Sequence, residues 1–66
     1  MKLVERSHGY DIYQLTMSES IMRGRNNRQF VAFVSGENFL SVGCPEVESE
    51  SLADVRNYCE KWEVTE

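Results

Sequence analysis

The clearest pattern lies in residues 28–43, where two runs rich in Val and Phe flank Ser35-Gly36-Glu37-Asn38. Glycine first in a two-residue loop suits a type II′ hairpin, because it accepts positive φ without steric cost. Such a turn sets Val34 opposite Phe39, Phe33 opposite Leu40, Ala32 opposite Ser41 and Val31 opposite Val42. Alternation then sorts the side chains onto two faces. Val31, Phe33, Leu40 and Val42 make the predicted core face; Phe30, Ala32, Val34, Phe39 and Ser41 make the other. That second face is too apolar for a solvated antiparallel sheet, so a cover is expected from the N-terminal segment or another molecule.

Leu52, Val55, Cys59 and Trp62 recur at helical spacing and predict a C-terminal helix with one apolar stripe. Ser51 stands as its N-cap with Asp54 three residues on, and Glu46, Glu48 and Glu50 precede it, where a helix start favours anions. Pro45 falls in the connection. The stripe is expected to pack on the Val31/Phe33/Leu40/Val42 face. Residues 10–24 fit two patterns. As a helix, Asp11 caps it, Gly24 closes it, and Tyr13, Met17 and Ile21 stack. As a strand over residues 9–17, Tyr10-Asp11-Ile12-Tyr13 supplies the β-formers. The strand reading is preferred. It predicts an α+β domain of order β-β-β-α, a three-stranded antiparallel sheet carrying one helix, with α-β-β-α as runner-up.

Composition narrows the class. At 66 residues, 41% hydrophobic and 27% charged, the chain has the make-up of one small globular domain spanning residues 1–66 rather than of a disordered segment. A chain of this size buries only about 60% of its unfolded surface, so its core is marginal and a multi-lobed enzyme does not fit. The net charge of −4 is unevenly spread. Residues 1–36 set Lys2, Arg6, Arg23, Arg25 and Arg28 against Glu5, Asp11 and Glu19, a net +2. Residues 37–66 set Arg56 and Lys61 against seven Glu and Asp54, a net −6. The asymmetry suits oriented or head-to-tail association, and the acidic average opposes non-specific nucleic-acid binding.

Met1 to Arg6 shows no apolar leader and the longest apolar run, Phe30 to Val34, is far short of a membrane span. A soluble cytoplasmic protein is expected. Cys44 and Cys59 stand in no metal spacing. Pairing them would contribute roughly 3 kcal/mol, but a reducing cytosol favours two buried thiols.

Candidate chemistry is sparse. Arg23-Gly24-Arg25-Asn26-Asn27-Arg28 is the concentrated positive segment and could grip phosphates with Tyr10 and Tyr13 nearby, but a solvated hairpin loop is the preferred reading. Glu46-Val47-Glu48-Ser49-Glu50 could mimic a phosphate track in a small acidic inhibitor, but complementing the helix start and aiding solubility is the preferred role. His8, the sole histidine, has no convergent partners for a metal or catalytic role, so it reads as an exposed residue beside Gly9. Trp62 is assigned to the core and Tyr58 to a semi-exposed contact.

Asp11-Ile12-Tyr13-Gln14-Leu15-Thr16-Met17 resembles the N-terminal signature of nicotinate phosphoribosyltransferases, with looser echoes at Gly24, Phe30, Phe33 and Leu52-Ala53-Asp54-Val55. The resemblance implies a helical segment in which Asp11 and Tyr13 contact the nicotinate ring. It covers seven contiguous residues, and the barrel that carries the family's chemistry is missing from these 66, so it is not adopted. The expectation is a non-catalytic protein-interaction or regulatory module without cofactor or metal. It self-associates, as a homodimer, through Phe30, Ala32, Val34 and Phe39. The alternatives are a nucleic-acid-binding module using Arg23, Arg25 and Arg28, or a small acidic inhibitor of a basic-grooved protein.

Overall fold

A computed structural model describes residues 1–36 and 44–64. Its elements are β1 (Lys2–Ser7), β2 (Tyr10–Gln14), α1 (Met17–Met22), β3 (Phe30–Val34), β4 (Val47–Ser49) and α2 (Leu52–Lys61). The strands form one antiparallel sheet in the order β1-β2-β3-β4. The fold is α+β with an antiparallel sheet and a C-terminal helix, as expected. The sheet has four strands rather than three, and α1 interrupts them.

Both readings of residues 10–24 hold for part of that stretch. The β-forming Tyr10-Asp11-Ile12-Tyr13 makes β2, and the helix begins only at Met17. Thr16 starts it with a full capping box: its hydroxyl accepts from the Glu19 N–H at 3.1 Å, and its own N–H donates to the Glu19 carboxylate at 2.8 Å. The helical segment implied by the phosphoribosyltransferase signature is therefore a strand at Asp11 and Tyr13.

The first strand had no hydrophobic signal of its own, since Lys2-Leu3-Val4-Glu5-Arg6-Ser7 alternates poorly. Its partner is fixed by His8-Gly9, both at positive φ (53° and 86°), the two-residue geometry that matches strand twist. Ser7 thereby faces Tyr10 and Arg6 faces Asp11; a bulge between Leu3 and Glu5 shifts the register.

The core lies opposite to where the hairpin pattern placed it. Tyr10, Ile12, Phe30, Ala32, Val34 and Val47 share the face on which α2 packs through Leu52, Val55, Tyr58 and Cys59. Ile12, Ala32, Val55 and Cys59 are fully buried there. The small Ala32, beside Ile12 at the sheet centre, leaves room for a close-lying helix. Val31 and Phe33, the expected helix-facing residues, form a separate cluster with Leu15, Tyr13 and Met1 on the other side. Phe33 meets Tyr13 edge-on, with ring centres 6.0 Å apart.

The pairing of Val31 and Ala32 also differs. Val31 sits between Tyr13 and Glu48, and Ala32 between Ile12 and Val47. The acidic segment read as a lead-in to the helix therefore supplies a strand. The expected pairing with Phe39, Leu40, Ser41 and Val42 falls on residues outside those described. Gly36 does adopt positive φ (88°), as the turn reading required.

At the C-terminal end Ser51 caps α2, as predicted, accepting from the Asp54 N–H at 3.4 Å. Leu52, Val55 and Cys59 follow the predicted stripe, but Trp62 does not. The helix stops at Lys61, and the Trp62 ring is 56% exposed, with the Lys61 ammonium 5.4 Å from its centre. Beyond it the backbone folds back on the β1–β2 turn: the Val64 N–H donates to the His8 carbonyl at 3.0 Å, and the Tyr10 hydroxyl to the Trp62 carbonyl at 2.8 Å. No described helix is long and apolar enough to cross a membrane.

Candidate functional site

The two charged segments, which the sequence offered as rival binding sites, meet each other. Arg23 lies just after α1, where its guanidinium grips Glu48 on β4 with two hydrogen bonds of 3.0 and 2.9 Å. Arg25 stands 3.9 Å from the same carboxylate, and the Asn27 amide donates to Glu50 at 2.7 Å. The Arg23 guanidinium holds the Glu48 carboxyl below the usual carboxylate range. Among the described residues nothing pairs with Arg28. The loop thus keeps, among the described residues, one uncommitted guanidinium of three, and Glu48 of the acidic strand is paired inside the molecule. An open polar recess of about 450 Å³ lies between them, lined by Gly24, Arg25, Asn27, Gln29, Glu48 and Glu50. Glu48 there is paired with Arg23 and Arg25, and Glu50 accepts from the neutral Asn27 amide.

The residues expected to contact a partner, Phe30, Ala32 and Val34, are placed under α2, with Ala32 fully buried and the other two half-buried. Phe39 lies outside the described residues. The structure brings the three together, but as core beneath this chain's own helix. The cover required by that apolar face is therefore intramolecular.

Asp11 and His8 find partners within the chain. Asp11 receives Ser35 Oγ at 2.8 Å and lies 3.2 Å from Arg6 Nε. The His8 imidazole, half-exposed, lies 2.7 Å from Glu63 and so tethers the C-terminal segment to the β1–β2 turn. Burial pushes the Cys59 thiol up, with the Glu5 charge adding to it. Cys44 is exposed, contrary to the expectation of two buried thiols, and the two cysteines are not bridged. Among the described residues, no three His, Cys, Asp or Glu side chains gather as metal ligands.

What remains is α1. A six-residue amphipathic helix normally turns its apolar side inward. Here the buried residue is Ser20, whose hydroxyl accepts the Gln29 N–H at 3.0 Å and anchors the returning loop. Met17, Ile21 and Met22 face outward, exposed to 37%, 61% and 87%. Beside the helix runs an apolar groove of about 250 Å³, floored by Leu15, Val31 and Phe33 and walled by Met1, Met22 and Pro45. Glu19 and Arg23 stand at its margin. This volume is below the roughly 300–1,000 Å³ of small-molecule sites, and its walls are methionine-rich, a composition suited to adaptable protein contacts. Sequence reasoning placed Met17 and Ile21 in a stack with Tyr13 and assigned Met22 nothing. The signal that could have found the surface was Ser20, a residue whose inward position follows only if the loop needs its hydroxyl.

No family model matches the chain, nor does any curated protein or solved structure.

Proposed function

We propose that the chain is a non-catalytic protein-interaction module that docks its partner on α1 and the adjoining groove. The observation that carries this reading is the inverted helix: Ile21 and Met22 in solvent while Ser20 is buried. Exposing two large apolar side chains on a six-residue helix forgoes about 1.5–3 kcal/mol of burial each, a gain that a partner can supply. Phe30, Ala32 and Val34 pack beneath the chain's own α2, which supports a docking surface on the opposite side of the sheet.

Selection of peptides from a displayed random library tests the reading without knowledge of the partner. Apolar peptides should be enriched, and an Ile21→Lys/Met22→Lys variant should lose them while keeping its circular dichroism spectrum, because both side chains are already exposed. A library that yields no peptide dependent on Ile21 or Met22 would overturn the proposal.

A further inference from the structure

Resting on that reading of α1 as a docking surface, we infer that its occupant is a second copy of this chain, bound about a two-fold axis beside Met22. A two-fold interface must be self-complementary: whatever projects from the surface must fit a recess on the same surface. Here the projection and the recess are adjacent. Met22 stands 87% exposed at the wall of the groove floored by Leu15, Val31 and Phe33. Two copies placed with α1 antiparallel pass their Met22 side chains at the axis, each entering its partner's groove.

Charge supports the same arrangement. Glu19 and Arg23 are one helical turn apart, on the stripe that also carries Met22, and all three line the groove. Antiparallel α1 helices crossing at Ile21–Met22 bring Glu19 toward the second copy's Arg23 and Arg25, and the reverse. Parallel helices would oppose like charges. Both side chains keep part of their surface free for this, at 39% and 40% exposure, although each already has a partner within its own chain. The second pairing therefore sets orientation more than strength.

The size of the surface sets the expected affinity. Of Met17, Ile21 and Met22, it is Met22 that lines the groove, so the apolar surface at the axis is well under the roughly 800 Å² per partner of a standard interface. A surface this small suits a weak, concentration-dependent association rather than an obligate dimer.

The test is sedimentation equilibrium of the full chain from about 10 µM to 1 mM, the span in which weak association shows. The average mass should climb from one chain toward two, and Met22→Lys should stay at one with its spectrum unchanged. A cysteine trap reads the axis directly. In a Cys44→Ser background, Met22→Cys should cross-link under oxidised glutathione at least about tenfold faster than Asn57→Cys, which is exposed on the far helix. One-chain mass at the highest concentration, or equal cross-linking of the two cysteines, would overturn the two-fold. If library peptides still bind through Met22 in that event, the docking surface stands and its occupant is another protein. If none do, both proposals fall.

Discussion

Replacing Gly9 by alanine should destabilise the fold by about 2 kcal/mol, through two separable costs. Gly9 holds φ at +86°, where an L-residue is penalised by about 1–2 kcal/mol. A Cβ at this position would also stand 2.8 Å from Val64 Cβ and 3.0 Å from the Val64 carbonyl oxygen, closer than such contacts occur. Overpacking of this kind costs about 1–3 kcal/mol, less when the neighbour can move. Val64 moves only by giving up its 3.0 Å hydrogen bond to the His8 carbonyl. Alanine's stiffer unfolded chain restores at most about 1 kcal/mol. For a domain of this size, whose stability is on the order of 3–10 kcal/mol, that loss is large. Urea titration followed by circular dichroism should show the midpoint falling by about 1–2 M at an unchanged slope. In a double-mutant cycle with Val64→Gly, the contact should appear as coupling of about 1 kcal/mol. A Gly9→Ala midpoint within error of wild type would refute both the left-handed turn and the docked C-terminal segment.

Further outcomes follow from the packing and the ion pairs. Ala32→Asp places a charge between Ile12 and Val55 and should leave the chain unfolded by circular dichroism rather than merely monomeric. Glu48 has its carboxyl lowered by Arg23, so its contribution is complete above the ordinary carboxylate range and lost as pH falls through the lowered value. The stability gap between wild type and Arg23→Ala should accordingly be wide at pH 7 and narrow toward pH 3 in urea titrations. A disulfide reagent should label exposed Cys44 at once and buried Cys59 only on opening, with rates at least about 100-fold apart in native buffer.

How much of this was legible in the residues depends on which contacts are local. The Phe30–Val34 strand, the Ser51 cap and the Leu52/Val55/Cys59 stripe were readable because each is set by neighbours in sequence. The face that α2 covers was not, since Phe30/Ala32/Val34 and Val31/Phe33 are both apolar and the choice turns on Ala32 lying next to Ile12, a contact twenty residues apart. The first strand carries mixed polarity because it lies at the sheet edge, where Lys and a bulge blunt further pairing. The fourth hid in the acidic run, because Glu48 is drawn into the sheet by Arg23 from a distant loop. The candidate site was the least legible part. Its mark is a buried serine, and only the fold shows that Ser20 serves the Gln29 N–H and so turns Ile21 and Met22 outward.

The central claim is that this outward surface, and not the sheet face beneath α2, is where the chain meets its own copy. The chain has three methionines, Met1 and Met22 at the groove and Met17 at the other end of α1, so methyl-labelled methionine gives a direct view of that surface. Titrating the full chain from about 10 µM to 1 mM should move the Met22 and Met1 methyl resonances along one saturating curve, while Trp62 on the opposite end of the fold keeps its shift. Methionine methyls that stay fixed across that range, or shifts confined to Trp62, would contradict it.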